Sequence, residues 1–347
     1  FWQSAVFWNV APILAALLFT TLLMLAVGAP PLRAFAEILQ GAFESPQKWA
    51  DVAMAWAPLA LIGAGMSLTF AAGLWNIGAE GQMILGAICA TWVARNVTLP
   101  QPVLLGLIVL AGLAGGALWG LLTGSLKVYA RVHEIFAGLG LNFIATALII
   151  WLIFNPWKPE RGATMSGTVP FPEAAWVPRL GNTRLAPLSI VLALIAVLAA
   201  YFLLKGTRFG LELRAMGKNL RAAFLQGIPT QRHTLVAFAI CGALAGLAGA
   251  LQATAVYHRL IPRISGGLGY TGMLVVILAN YRPELVPAVA IFFAAIGVGS
   301  PRLELNLQLD ASLGGVIEGT VVLFVLLGAG LRKRLGGVRP SSTSEGS

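Results

Sequence analysis

Residues 54–94 read MAWAPLALIGAGMSLTFAA, then GLWNIGAEGQ, then MILGAICATWVA. The central ten residues hold Asn76, Glu80 and Gln82 among three glycines, whereas both flanks are apolar in the manner of membrane helices. A polar, glycine-rich interruption at membrane depth is tolerated only where the backbone is buried in protein or lines a cavity. The segment therefore predicts a helical membrane protein in which at least one helix is broken.

The composition of the whole chain agrees with this class. Of 347 residues, 58% are hydrophobic and 10% are charged, whereas soluble domains carry about 25% charged residues. The net charge of +10 is typical of basic cytoplasmic loops and does not require a nucleic acid partner. Cys89 and Cys241 lie within apolar runs, so we interpret them as core residues rather than a disulfide framework. The fold class is all-α and polytopic.

Ten apolar segments are predicted to cross the membrane. Two of them, 270–281 and 285–299, are short and are expected to be tilted, discontinuous or partly re-entrant. The ten segments are 6–28, 54–72, 79–97, 102–124, 134–154, 187–204, 234–253, 270–281, 285–299 and 312–331.

The distribution of basic residues predicts the orientation. With the N-terminus in the cytoplasm, the inner loops hold 13 of the 23 Lys and Arg residues, and the bias is concentrated in 205–233 and in the C-terminal stretch LRKRLGGVR. Both termini are then cytoplasmic. Residues 1–335 are predicted to form a single transmembrane domain, and 336–347 a disordered cytoplasmic tail.

Three connecting segments are long enough to have roles of their own. Segment 29–53 is external and is expected to contain an amphipathic surface helix, with Ser45 and Pro46 resembling a helix N-cap and first turn. The external segment 155–186 is rich in proline, which predicts turns. The inner segment 205–233 carries six basic residues and a small apolar patch. Its length favours a short helix that docks on a cytoplasmic partner over a simple charge anchor.

A second glycine-rich segment resembles the first. Residues 266–278, GGLGYTGMLVVIL, also run from glycines into an apolar stretch. Corresponding helix breaks in two halves are typical of transport proteins with inverted repeats, so an internal inverted repeat is predicted.

The polar residues at membrane depth have two interpretations each. Glu80 either lines a solute path or forms a structural hydrogen-bonded knot with Asn76 and Gln82, and the nearby glycines favour a broken helix. Asn142 shares a helix face with Glu134 and either lines the path or bonds to a neighbouring helix. Glu318, also beside glycines, has the same alternatives as Glu80.

Other motifs have structural interpretations. Glycines repeat every four residues at Gly112, Gly116, Gly120 and Gly124, and again at Gly242 and Gly246, which predicts packing surfaces between helices. Glu134 is interpreted as an anchor at the membrane edge, and His133 has no companion ligand that would indicate a metal site. No nucleotide-binding loop or catalytic motif is present in the sequence, so an enzyme is not expected.

Three stretches together resemble a known family. They are GLWNIGAEGQMILGA (73–87), HEIFAGLGLNFIA (133–145) and TRFGLELRAMGKNLRAAFLQGI (207–228). They are similar to permease subunits of bacterial ABC importers in the branched-chain amino acid and ribose permease superfamily. The similarity is to the simple-sugar and nucleoside branch, and it extends over about residues 10–335. His133 and Tyr270 depart from residues that relatives often have at these positions.

The resemblance implies a solute path and an ATPase-coupling segment. The path residues are Asn76, Glu80, Gln82, Asn142, Tyr270 and Glu318. The coupling residues are Leu213, Arg214, Gly217, Asn219, Ala222, Ala223 and Gly227.

The resemblance also implies an assembly in the bacterial cytoplasmic membrane. Its members are a cytoplasmic ABC ATPase, a second permease subunit (identical or paralogous) and an external Bmp-type lipoprotein that binds the solute, a nucleoside or a simple sugar. No metal or cofactor belongs to this chain, because ATP is bound by the partner. The alternative is a secondary transporter driven by an ion gradient that uses Glu80 and Glu318.

Overall fold

The computed structural model describes residues 5–26, 28–159 and 167–336. Within these ranges all regular structure is helical, as the apolar composition predicts. The chain divides into two compact units. Unit 1 comprises Phe1–Ala42 and Ala295–Ser347, and unit 2 comprises Phe43–Ala294. Of the tail predicted to be disordered, 337–347 lie outside the described residues.

Unit 1 contains the helices at the two ends of the chain. They are α1 (Ala5–Ala26), α2 (Pro31–Phe43), α13 (Pro301–Leu307) and α14 (Leu313–Gly336). The rings of Phe19 and Phe324 lie 5.6 Å apart where α1 packs on α14. Arg302 of α13 donates to Glu37 of α2 over 2.7 Å.

Unit 2 contains most of the apolar helices and both glycine-rich breaks. Its helices are α3 (Pro46–Ala71), α4 (Ala79–Asn96), α5 (Gln101–Val128), α6 (Glu134–Phe154), α7 (Pro187–Gly206), α8 (Arg208–Lys218), α9 (Leu220–Leu225), α10 (Thr230–Leu251) and α11 (Leu268–Leu278). A π-helical turn, Gln252–Tyr257, continues α10. Helix α12 (Val286–Gly299) runs from unit 2 into unit 1.

The centre of unit 2 is a close crossing of α5 and α10. A Cβ atom on Gly116 would lie 2.7 Å from the backbone nitrogen of Gly246 and would overlap the carbonyl oxygen of Gly242. Only glycine allows two backbones to approach this closely. Both glycine repeats are packing surfaces, as predicted, and the structure shows that they pack against each other.

The described helices include fewer independent spans than the ten predicted segments. Helices occupy all ten predicted segments, but six of the described helical runs are long and apolar enough to cross a membrane by length and composition, or seven if the bent pair α1 and α2 is one span. Helix α11 is too short at 11 residues, and the apolar run Leu313–Gly328 of α14 is also short. Glu80, Gln82 and Arg95 lower the hydropathy of α4. The structure thus establishes a polytopic helical protein without confirming ten spans.

The connecting segments follow the turn and cap signals in the sequence. The Ser45 side chain accepts from the backbone N–H of Lys48 and begins α3. Helix α3 then runs unbroken to Ala71, so the predicted external segment 29–53 ends inside this helix. Residues 167–186 contain a single 3₁₀ turn, Glu173–Ala175, which fits the predicted turns, and 160–166 lie outside the described residues.

Candidate functional site

Two interruptions of the helical backbone meet inside unit 2. The first, 72–78, separates α3 from α4, and the second, 258–267, separates the π-helical turn from α11. Glu80 lies in the first turn of α4, and its carboxylate accepts from the backbone N–H groups of Gly267 (3.0 Å) and Gly269 (2.8 Å). The first N–H groups of a helix have no partner within it and attract negative charge. Glu80 therefore caps α11 and joins the two breaks.

A pair of side-chain amides closes the first break. The Asn76 amide donates to the Gln82 oxygen over 2.9 Å, and the Gln82 amide donates back to the Asn76 oxygen over 3.1 Å. The Asn76 amide also donates to the Cys241 sulfur over 3.0 Å. All three side chains are buried. The pair thus ties the break to the start of α4 and to α10.

Asn142 holds the same break from the side of α6. Its carbonyl oxygen accepts from the backbone N–H of Gly81 (2.8 Å), and its amide donates to the carbonyl of Ile77 (3.0 Å) and to the Tyr270 hydroxyl (3.2 Å). One turn earlier on α6, a Cβ on Gly138 would lie 2.7 Å from the nitrogen of Gly78. Asn142 therefore supplies the backbone with the hydrogen bonds that the missing helical turn would have made.

Five of the six predicted path residues thus belong to one network, the break network: Asn76, Glu80, Gln82, Asn142 and Tyr270. The first four are buried, with Glu80 the most accessible at 8%, whereas Tyr270 is 41% exposed. Glu318 lies in unit 1 and is half-buried in α14. Among the described residues its carboxylate has no hydrogen-bond partner, so the predicted bond to another helix is not found there.

Three contributors to the break network were not identified from the sequence. They are the Cys241 sulfur and the backbone N–H groups of Gly267 and Gly269. Nearby, the indole N–H of Trp119 is buried without a partner among the described residues. The GGLG segment is the sequence signal for the two glycines, because it predicts a second break.

The predicted coupling segment forms two short helices, α8 and α9. The Thr207 hydroxyl caps α8 by accepting from the N–H of Gly210 (3.1 Å), and the Asn219 side chain caps α9 by accepting from the N–H of Ala222 (3.0 Å). Of the predicted coupling residues, two are buried: Leu213 and Ala223. The other five are exposed: Arg214, Gly217, Asn219, Ala222 and Gly227.

Helix α8 lies directly against the end of α3. A Cβ on Gly217 would overlap the carbonyl oxygen of Ala71 and would lie 3.2 Å from the nitrogen of Gly73. Gly73 begins the first break and has a φ of +74°, which favours glycine. The coupling segment and the start of the first break therefore meet through backbone contact, with no flexible side chain between them.

An ion-pair cluster fixes the other side of α8. The Glu212 carboxylate lies 2.8 Å from the Arg208 guanidinium and 2.7 Å from the His233 ring at the start of α10. The hydrogen bond from Arg208 lowers the pKa of Glu212, and the His233 ring lowers it further. Glu212 therefore stays ionised and holds α8 to α10.

The outward face of α9 is apolar. Phe224 is 64% exposed and Leu225 is 77% exposed, and Leu220 is exposed beside them. Phe224 belongs to the small apolar patch that the sequence predicts in this segment, together with Ala222 and Ala223. An exposed aromatic and aliphatic cluster of this kind is typical of surfaces that contact another protein or the membrane.

Replacement of Asn142 by aspartate is expected to destabilise the protein. A carboxylate still accepts from the N–H of Gly81, but it has no N–H to donate to the Ile77 carbonyl or to Tyr270. Each buried group left unsatisfied costs about 1–3 kcal/mol, so a lower thermal midpoint in detergent is expected.

The matched control is Asn96→Asp. Asn96 also donates to a backbone carbonyl, that of Trp92, but this bond is exposed, so little change is expected. Equal midpoints for Asn142→Asp and the wild type would contradict the structural role of Asn142.

Comparison with known proteins identifies similar chains. Residues 49–326 match the family model described as branched-chain amino acid transport system / permease component. A glucose ABC transporter permease protein of Haloferax volcanii is 32% identical over 91% of this chain and 86% of its own length. A guanosine ABC transporter permease protein of Bacillus subtilis is 26% identical over 91% of both chains. A nucleoside ABC transporter permease protein of Lactococcus lactis subsp. cremoris is 23% identical over 88% of this chain and 86% of its own length.

One solved structure is also similar, PsaBC from Streptococcus pneumoniae in complex with Fab. It is 13% identical, with a TM-score of 0.46 over 85% of this chain and 95% of its own.

Proposed function

Because the chain belongs to the family of branched-chain amino acid transport system permease components, we propose that it forms the membrane path for a nucleoside or a simple sugar. It is the permease subunit of an ABC importer, a class whose members work with an ATPase and a solute-binding protein. The solute class is supported by relatives whose names specify glucose, guanosine and nucleosides.

The proposed mechanism uses α8 as a lever. The ATPase subunits bind and hydrolyse ATP, and their closure moves the coupling segment. The observation that carries this proposal is the contact of Gly217 with Ala71 and Gly73. A displacement of α8 is passed directly to the end of α3 and to the start of the first break, because backbone atoms packed at this distance cannot move independently.

Within the solute path, we assign different roles to buried and exposed residues. Asn76, Glu80, Gln82 and Asn142 hold the two breaks in place, and Tyr270 is the member of the break network that faces the solute. This division is supported by burial and by the hydrogen bonds that occupy the four buried side chains. Glu318 is proposed as a separate polar position of the path.

The proposed topology has ten spans, a single transmembrane domain over 1–335, and both termini in the cytoplasm. The breaks before α4 and α11 support an inverted repeat, since each is glycine-rich and each precedes a helix. Reporter fusions within 205–233 should indicate a cytoplasmic position, and an external position would contradict the topology.

The proposed assembly contains two permease subunits, a cytoplasmic ATPase and a Bmp-type lipoprotein in a bacterial cytoplasmic membrane. This chain would carry no cofactor or metal, because ATP belongs to the ATPase. The exposed cluster on α9 is proposed as the ATPase contact. Its apolar surface and the basic residues of the same segment support this role.

Phe224→Ala is expected to weaken ATPase binding about 30-fold, since an aromatic anchor of an interface is typically worth about 2 kcal/mol. The measurement is co-purification, followed by titration of the ATPase onto the immobilised permease. The matched control is Phe202→Ala, on α7, which is 61% exposed but lies within an apolar spanning helix. Equal ATPase affinity for the two variants would contradict the assigned contact.

Competition experiments test the solute class. Labelled guanosine or labelled glucose is supplied to cells that express the complete importer. Its uptake should be inhibited by an excess of the same compound without the label. The binding lipoprotein should bind the same competitor. Inhibition by neither class, with inhibition by branched-chain amino acids instead, would overturn the proposed solute.

The alternative of an ion-gradient-driven transporter is less well supported. Both oxygens of the Glu80 carboxylate already accept from backbone N–H groups, which engages this side chain in holding the two breaks together. Family membership also favours ATP as the energy source.

A further inference from the structure

A cavity of about 640 Å³ opens beside the coupling segment. Its walls come from the ends of α3, α7 and α8 and from the turn 281–284. Four cationic side chains line it: Lys205, Arg214, Lys218 and Arg282. Glu284 is the one carboxylate among its described lining residues. The cavity therefore has a marked excess of positive charge.

The ion pair in the cavity neutralises only one of its four cations. The Lys205 ammonium lies 2.7 Å from the Glu284 carboxylate. Burial raises the pKa of Glu284, but the hydrogen bond from Lys205 and the nearby Arg282 charge together hold it below its ordinary value. Glu284 is therefore ionised and balances one cation. Arg214, Lys218 and Arg282 leave about three positive charges facing the cavity.

The remaining wall is apolar and aromatic. Phe70 and Tyr281 lie with ring centroids 5.1 Å apart, and Leu204 and Pro283 complete the surface. An occupant that suits the whole cavity combines a phosphate with an apolar body. Free inorganic phosphate would satisfy the cations but would leave this wall exposed to water.

The position of the cavity favours a lipid as its occupant. The membrane-spanning helices α3 and α7 both end at it, which is the depth of the lipid headgroups. On the proposed topology this is the cytoplasmic side, where anionic lipids are enriched, and basic pockets between spanning helices on that side bind anionic headgroups.

We propose that this cavity binds the phosphate of an anionic lipid headgroup against α8 and the end of α3. The assignment of the cavity to the cytoplasmic side of the membrane rests on the proposed function. The lipid binding does not rest on it, because it is measured without solute or ATP. A lipid bound there would bridge the coupling segment and the spanning helices.

The test measures lipid retention. The transporter complex is reconstituted into nanodiscs of phosphatidylcholine with increasing phosphatidylglycerol, and bound lipid is counted by native mass spectrometry. Lys218→Gln combined with Arg282→Gln is expected to weaken phosphatidylglycerol retention about 10- to 30-fold, since each basic residue near the surface contributes about a factor of five. Glu284→Gln is expected to strengthen retention, because it removes the opposing charge.

Two control variants distinguish the loss of this site from a general loss of positive charge and from misfolding. Arg221→Gln combined with Arg232→Gln removes two exposed charges of the neighbouring segment that do not line the cavity, and should leave retention unchanged. Lys218→Arg combined with Arg282→Lys keeps the charge and should retain the lipid.

Two results would contradict a lipid as the occupant of the cavity. If inorganic phosphate alone raises the thermal midpoint of the wild type but not of the double glutamine variant, and no phosphatidylglycerol is retained, the site binds soluble phosphate and the lipid assignment is wrong. Equal phosphatidylglycerol retention by the wild type and the Lys218→Gln/Arg282→Gln variant would overturn the proposal. The basic side chains would then only interact with the negative carboxyl ends of the helices.

Discussion

Replacing Gly217 by alanine is expected to reduce ATP-driven uptake about tenfold or more, although alanine is the better helix former by about 1 kcal/mol. The added methyl would overlap the carbonyl oxygen of Ala71 and lie 3.2 Å from the nitrogen of Gly73, so α8 must move away from the end of α3. Overpacking of this kind costs about 1–3 kcal/mol. Uptake and solute-stimulated ATP hydrolysis, measured on the same proteoliposomes, should both fall.

Gly206→Ala is the matched control for this prediction. Gly206 ends α7, close to α8 along the chain, and a Cβ there meets nothing within 4 Å. Uptake by Gly206→Ala should equal that of the wild type. If Gly217→Ala also kept wild-type uptake and ATPase stimulation, the backbone contact would not transmit the motion of α8.

Replacing Glu80 by alanine is expected to destabilise the protein and abolish most transport. The change leaves the N–H groups of Gly267 and Gly269 without their acceptor. Hydrogen bonds to a charged group are worth about 1.5–3 kcal/mol each, so α11 loses its cap. A thermal midpoint lower by roughly 5–10 °C is expected. Glu304→Ala, at an exposed position of α13, controls for the loss of one carboxylate.

Glu80→Gln separates a structural role from an ion-binding role. Glutamine keeps one acceptor oxygen and can cap one of the two N–H groups, so its stability and uptake should lie between those of Glu80→Ala and the wild type. Full stability with complete loss of uptake would instead indicate that the charge takes part in transport directly, as in the alternative of an ion-gradient-driven transporter.

The helix break and its counterpart were predictable from the sequence, but the bonds between them were not. Glycines around Asn76 and Glu80 marked the first break, and GGLG marked the second. The structural alternative for Glu80 predicts Asn76 and Gln82 as its partners. These two amides instead bond to each other, and Glu80 bonds to backbone N–H groups 187 and 189 residues away. Every non-proline residue has such an N–H group, so residue type gives no signal for this contact.

For the coupling segment, too, the position was predictable from the sequence but the direction in which each side chain faces was not. Its position and its caps follow from residues such as Asn219. The resemblance to the family does not distinguish Leu213 and Ala223, which face inward, from Phe224 and Leu225, which face outward. On helices as short as α9, with six residues, too few turns exist for apolar periodicity to define a face.

The number of spans is the part of the predicted fold that the structure does not confirm. Helices are found at all ten segments, but α4 and α11 do not have the length and hydropathy of independent spans. The polar residues that lower the hydropathy of α4, Glu80 and Gln82, are the residues that hold the break network together. Hydropathy is therefore weakest as a guide where the chain carries its candidate site.

ATP-driven uptake in proteoliposomes tests most directly that this chain is a permease powered through α8. The purified permease pair is reconstituted with its ATPase and binding protein, and labelled guanosine or glucose is followed over time. Uptake should require ATP, stop with vanadate, and fall about tenfold with Gly217→Ala. Uptake that persists without the ATPase and follows an imposed ion gradient would contradict both the energy source and the coupling route.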